Sequence, residues 1–345
     1  MSRGPGIANC PRLSRGEMSP RSGCQSKLPP CDLQELLEGA AGILLARNSG
    51  STLTMTPEDC AVLETGQGQI LATTDIAPLV GVDLWYAGCI AALHAMSDIY
   101  ACGGVPRWAI ATLIVDPDQP RAYMETVLAG LVQACHDEGA ALVGGHTSLG
   151  RESMVGLTVL GTPRSTIILR KGGAAPGDQL FISKPLGVGM IVKAYKLGLV
   201  GDRQLSSAIE IMTKSNGPAS ACAVDARVHA STDVTGFGLL GHLAELLGPK
   251  LGASLVLNAI PIIPAAASLP PEFGFTDWAK GNLDYARHSH QLVGVMETEP
   301  HRLAPLLDPQ TNGGLLVAAD LTAARSLDGF SRIGEVTTFP TISVS

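Results

Sequence analysis

The sequence predicts a two-domain protein built from α/β or α+β layers. Strand-like and helix-like segments interleave along almost the whole chain. At 345 residues it exceeds what one compact core usually accommodates. Hydrophobic residues make up 46% against 16% charged, the balance of a packed globular chain rather than a disordered one.

Residues 1–31 are rich in Ser, Pro, Gly and Arg without a sustained period, and read as a mobile segment. A helix is expected from near Asp32, with Leu33, Leu36 and Leu37 on one face; residues 1–50 form this leading unit. The N-terminal domain is expected over 51–165. It opens with strand-like runs at 61–64 and 70–74 joined by a Gly-containing turn, a hairpin signature. A helix over 83–101 closes on Gly103-Gly104, a buried strand follows at 109–115, and an amphipathic helix over 120–138 ends at Gly139. Further strands are expected at 141–143 and 155–161, and the loop 164–176, carrying Lys171-Gly172-Gly173, marks the boundary. The C-terminal domain, 166–345, has a strand at 179–183, three helical stretches between Gly189 and Val228, and a loop over 231–238 feeding a helix to Leu247. Strands return at 253–257, 292–296 and 315–319.

The net charge of −7 and the absence of a long basic run argue against general nucleic-acid binding. No apolar run is long enough to span a membrane, and the N-terminal arginines lack the apolar core of a signal peptide. Eight cysteines without a Cys-x-x-Cys pair read as reduced thiols, hence a cytoplasmic protein. Cys24 differs in lying in a polar stretch.

No Walker loop, dinucleotide fingerprint, nucleophile elbow or kinase catalytic-loop pattern occurs. Aspartates beside glycines or at element ends stand out instead: Asp59, Asp75, Asp98 and Asp233. Asp98 falls in the last turn of its helix, where the helix dipole disfavours a negative charge, so it calls for a nearby cation. Asp233 precedes a Gly-rich turn that opens a helix, where backbone N–H groups can hold phosphate oxygens while the carboxylate takes a divalent metal. Alone, Asp98 is equally an ordinary surface or capping residue and Asp233 more often an ordinary N-terminal loop residue, and Gly144-Gly145-His146 and Thr311-Asn312-Gly313-Gly314 read alone as turns. Together they suit a metal–polyphosphate site.

Longer stretches resemble selenophosphate synthetases. These are Thr73-Thr-Asp-Ile-Ala-Pro-Leu-Val80, Ile90-Ala-Ala-Leu-His-Ala-Met-Ser-Asp-Ile-Tyr-Ala-Cys-Gly-Gly-Val-Pro106 and Gly144-Gly-His-Thr147. They continue with Gly177-Asp-Gln-Leu-Phe-Ile-Ser-Lys-Pro-Leu-Gly-Val-Gly189, Asp233-Val-Thr-Gly-Phe-Gly-Leu-Leu-Gly-His-Leu243, Asp308-Pro-Gln-Thr-Asn-Gly-Gly-Leu-Leu316 and Ile333-Gly-Glu-Val336. The wider superfamily includes aminoimidazole ribonucleotide synthetase and thiamine-monophosphate kinase; Gly23-Cys24-Gln25-Ser26-Lys27 is the feature that points to the selenium enzymes.

The resemblance implies a two-domain aminoimidazole ribonucleotide synthetase-like architecture, with a ferredoxin-like N-terminal domain and an α/β C-terminal domain. It implies selenide, water dikinase activity: ATP, selenide and water give selenophosphate, AMP and phosphate. Its implied partners are ATP, selenide and a second copy of the chain paired through the N-terminal sheets. Mg²⁺ is the implied cofactor, with potassium as a further candidate cation. By position, Cys24 and Lys27 match the catalytic pair, with Lys27 also on the nucleotide. Asp59, Asp98 and Asp233 match metal ligands. Thr56, Pro57, Glu58, Asp75, Asp98, Gly144, Gly145 and His146 match the nucleotide site. The alternatives are another ATP-dependent small-molecule kinase of the superfamily or a non-catalytic nucleotide-binding paralogue. Three departures stand out: Gln25 and Ser26 where many members have Gly and Cys, His94 where Asn is common, and Trp278-Ala-Lys-Gly-Asn282 where an Arg-containing segment is usual.

Overall fold

The computed structural model describes residues 35–41, 43, 58–81, 83–270, 273, 277–295 and 297–345. Residues 35–41 are helical (α1), within the stretch where the leucine spacing predicts a helix.

The N-terminal half is a five-stranded sheet with two helices. The strands are β1 (Ala61–Thr65), β2 (Gly68–Pro78), β3 (Gly104–Val115), β4 (Ala141–Leu149) and β5 (Met154–Pro163), in the order β1-β2-β5-β3-β4. Only β3 and β4 run parallel. The predicted hairpin is present, with Ala61 opposite Ala72 and Thr65 opposite Gly68. The helices α2 (Leu84–Ala101) and α3 (Arg121–Asp137) pack together closely. A Cβ on Gly88 of α2 would lie 1.9 Å from the Val127 carbonyl oxygen, so only glycine permits this approach. The Asp83 carboxylate caps α2 by accepting from the Trp85 N–H at 3.0 Å. The helix ends at Gly103, whose φ of +72° suits a residue without a Cβ. α2 is buried on nearly every side because it is wedged between the sheet, α3 and the C-terminal half.

The C-terminal half is a seven-stranded sheet of β6 (Gln179–Ile182), β7 (Ala230–Asp233), β8 (Gly252–Leu255), β9 (Gln291–Val293), β10 (Leu315–Ala319), β11 (Ser331–Thr337) and β12 (Thr341–Val344), ordered β7-β10-β6-β11-β8-β12-β9. β12 is parallel to β8 and β9; the other pairs are antiparallel. The helices are α4 (Val188–Lys196), α5 (Asp202–Met212), α6 (Gly217–Ala226), α7 (Gly238–Leu247), α8 (Pro264–Ala267), α9 (Asp277–Ser289) and α10 (Pro300–Leu307). Leucines of α7 and α10 join one core with Leu180, Ile182 and Leu316, while Ala223 of α6 joins another with Phe181, Leu315 and Val317. The largest core runs from the N-terminal sheet and α2 into α4 and α5, so the halves share packing. This mixed, two-sheet α+β arrangement is the layered architecture the sequence predicts.

Several local readings need correction. Residues 231–233 form the strand β7 rather than a loop; the buried Ser231 and Thr232 disguise it, because polar side chains hide the strand signal. β4 runs to Leu149, so Gly144-Gly145-His146 lies within a strand, with Ile110 opposite Gly144 and Thr112 opposite His146. β3 begins at Gly104 and carries Pro106 at a register shift, where proline is tolerated. β11 and β12 stand where the sequence pattern predicts no strand.

The face of the N-terminal sheet away from α2 and α3 exposes Ile76, Trp108, Ile110 and Val143, with Trp108 at 42% and Val143 at 58%. No helix among the described residues is long and apolar enough to cross a membrane.

Candidate functional site

Three aspartates converge where the halves meet. Asp59 precedes β1, Asp98 sits in the last turn of α2, and Asp233 ends β7. One carboxylate oxygen from each lies within 4.8 Å of the others. The Thr73 hydroxyl donates to Asp98 Oδ2 at 2.5 Å, and the Thr232 hydroxyl to Asp59 Oδ1 at 3.1 Å. Both threonines come from strands, so the sheets fix the carboxylate directions.

Lys171 approaches from the connecting loop. Its Nζ is 2.7 Å from Asp59 Oδ1 and 3.1 Å from Glu245 Oε2, and its backbone N–H donates to Glu58 Oε2 at 3.0 Å. Burial alone would depress the Lys171 pKa, but the charges and hydrogen bonds of Asp59 and Glu245 outweigh it and hold it above its ordinary value. Burial, together with the neighbouring Asp233, pushes the Asp59 carboxyl up to about 6 despite Lys171. Asp233 Oδ2 is buried without a hydrogen-bond partner among the described residues. An orphaned carboxylate oxygen beside two further carboxylates is a costly arrangement that a hard divalent cation relieves, and an all-oxygen donor set suits Mg²⁺. The residues fit such an ion.

The turn after Asp233 is closed by His242 of α7. The Phe237 N–H donates to His242 Nε2 at 3.3 Å, and His242 Nδ1 is 3.2 Å from Glu245 Oε2. The ring stacks on Phe237 with centroids 5.2 Å apart. Asp75, on β2, has Oδ2 3.0 Å from His94 Nε2 on α2.

Asp308 is also buried but differently held. It accepts the Gly189 and Met190 N–H groups of the first turn of α4, and Gln310 Nε2 donates to its Oδ2 at 2.9 Å. Gln310 Oε1 accepts the Gly187 and Val188 N–H groups at 3.1 and 3.3 Å. The Asp-Pro-Gln-Thr segment therefore caps α4.

The structure brings Asp59, Asp98 and Asp233 together, with Glu58 tied to the same loop as Lys171. Gly144, Gly145 and His146 lie on β4, three strand spacings from β2, roughly 14 Å away. Within one chain they do not join Asp75. Cys24, Lys27, Thr56 and Pro57 lie outside the described residues. Sequence reading missed Lys171, Glu245 and His242 as parts of the site. The Lys171-Gly172-Gly173 turn was the available signal, with Gly172 at φ +72°.

Two domain families match the chain. The AIR synthase related protein N-terminal domain covers residues 57–162, and the AIR synthase related protein C-terminal domain covers 175–338. The selenide, water dikinase of Carboxydothermus hydrogenoformans is 34% identical over 300 residues, 86% of each chain. That of Burkholderia pseudomallei is 36% identical over 341 residues, 95% of each. The chain belongs to the selenide, water dikinase family. The fold extends beyond it. Thiamine monophosphate kinase from Aquifex aeolicus superposes with a TM-score of 0.65 at 18% identity, covering 90% of this chain and 97% of that one. The hydrogenase maturation protein HypE in complex with ATP gives 0.60 at 18%, covering 86% and 82%.

Proposed function

We propose that this chain is a selenophosphate synthetase, converting ATP, selenide and water into selenophosphate, AMP and phosphate. The observation that carries the reading is the buried Asp59–Asp98–Asp233 cluster with its orphaned Asp233 Oδ2, in a chain of the selenide, water dikinase family. Asp59, Asp98 and Asp233 hold Mg²⁺, with potassium as a further candidate cation. When bound, the metal supplies positive charge to polyphosphate oxygens as the γ-phosphoryl group leaves. Glu58, Asp75 and Asp98, with Thr56 and Pro57, orient the nucleotide. The loop of Lys171 and the turn closed by His242 keep the carboxylates in register.

Cys24, as a thiolate, positions the selenium nucleophile without bonding it covalently, and Lys27 favours that thiolate and offsets phosphate charge. Their segment acts as a lid that excludes bulk water. ADP is then hydrolysed before release.

The exposed apolar face with Ile76, Trp108 and Val143 supports a homodimer joined through the N-terminal sheets. In that dimer Gly144, Gly145 and His146 contact nucleotide held by the partner's aspartates. The free described cysteines, including Cys60, Cys89 and Cys135, support a cytoplasmic setting.

Anaerobic phosphorus NMR with ATP, Mg²⁺ and selenide tests the reading. Selenide-dependent selenophosphate with matching AMP is expected, and Cys24→Ala or Lys27→Ala should abolish it. ADP accumulating without AMP would favour a different kinase, and intact ATP a binding paralogue.

A further inference from the structure

Asn312, in the loop between α10 and β10, reaches from the C-terminal half to α2 of the N-terminal half. It is fully buried with φ +51°, a conformation most residues avoid and asparagine tolerates. Four hydrogen bonds hold it there. Its carbonyl accepts from Lys184 Nζ at 2.9 Å, and its Nδ2 donates to the Met212 and Lys214 carbonyls at 2.6 and 3.1 Å. Its backbone N–H donates to His94 Nδ1 at 3.2 Å. Lys184 Nζ also donates to the Lys214 carbonyl at 2.6 Å, tying the end of α5 into the same knot.

The bond to His94 has a chemical consequence. A ring nitrogen that accepts an N–H bond carries no proton, so this pattern assigns the His94 proton to Nε2. That nitrogen lies 3.0 Å from Asp75 Oδ2 and donates to it. His94 is 5% exposed, between buried Leu93 and Ala95, so the ring has little room to turn. Thr311, Asp75 and His94 line one cleft between the halves.

We propose that Asn312 and His94 are positioning residues for Asp75: the C-terminal loop sets the histidine tautomer, and the histidine aims the Asp75 carboxylate at the nucleotide. This rests on the reading of Asp75 as a nucleotide-site residue. A carboxylate held by such a partner is oriented before the ligand arrives, and removing partners of this kind typically costs about 10–100-fold in affinity.

The test is calorimetric binding of the Mg²⁺ complex of β,γ-methylene-ATP, alongside KM for ATP and kcat. His94→Phe keeps the ring volume and removes both bonds; it should weaken binding about tenfold. Asp75→Asn should do the same, and the double variant should bind no worse than either single one, because both act through one contact. His94→Gln, which keeps a donor at the reach of Nε2, should recover affinity to within about threefold of wild type, as expected if only the donor matters. If His94→Phe does not fold, Asn312→Gly, which keeps the backbone N–H but loses the side-chain anchors, should weaken binding in the wild-type background and not in Asp75→Asn. Unchanged affinity in His94→Phe, multiplying effects in the double variant, or His94→Gln as weak as His94→Phe would each overturn the role. Wild-type protein that binds no nucleotide would instead overturn the functional reading on which it rests.

Discussion

Asp233 and Asp308 are both almost fully buried carboxylates in the C-terminal half, each opening a motif legible in the sequence, yet they are held in opposite ways. Asp308 meets backbone donors of α4 and the Gln310 amide, so its oxygens have partners even though burial pushes its carboxyl up to about 7. Asp233 shares a small volume with Asp59 and Asp98, while the nearby cations are engaged elsewhere, Lys171 on Asp59 and Lys184 on the Lys214 and Asn312 carbonyls, and it keeps an oxygen with no partner among the described residues. Burial therefore does not separate a structural aspartate from a chemical one. The supply of donors does: a satisfied carboxylate is architecture, while a crowded and orphaned one is built for a cation.

The comparison can be broken from the Asp308 side first. Asp308→Ala leaves the Gly189 and Met190 N–H groups and the Gln310 amide without their acceptor, and should cost about 3 kcal/mol of stability. Urea unfolding checks this, and the loss should be the same with and without Mg²⁺. A Mg²⁺-dependent loss would place Asp308 with the chemical aspartates.

Glu245 sharpens the other side, since Lys171 divides its charge between Asp59 and Glu245. Burial works against the Glu245 charge, yet His242 and Lys171 draw its pKa down to about 2. A carboxylate depressed in the folded state adds stability that is full above its ordinary value of 4.5 and is lost as pH falls through about 2. Glu245→Gln should therefore cost roughly 2–3 kcal/mol at pH 7. Its gap to wild type should close as pH is lowered past 4.5, as followed by unfolding at a series of pH values. A gap that is constant with pH would mean that the ion pairs contribute nothing.

Much of this was legible in the sequence. Asp98 in the last turn of a helix and Asp233 before a Gly-rich turn were visible because helix ends and turns leave local signatures. The hairpin and α2 came through for the same reason. What stayed hidden depends on partners distant in sequence. Lys171 is 112 positions from Asp59 and 74 from Glu245, so its role emerges only when loop, strand and helix meet. Buried Ser231 and Thr232 mask β7, and glycines at 144 and 145 mimic a turn inside β4. The cap formed by Asp308 and Gln310 stays hidden in the Asp308–Leu316 stretch because spacing alone does not reveal whether a carboxylate is already satisfied.

The central claim is that Asp233 completes a divalent-cation site with Asp59 and Asp98. Titration of Mn²⁺, a paramagnetic stand-in for Mg²⁺, into wild type and Asp233→Asn under electron paramagnetic resonance tests it most directly. The account predicts saturable binding to wild type, at least about tenfold weaker binding to the variant, and metal-free stability no lower than wild type. Equal Mn²⁺ affinity in the two proteins would contradict it.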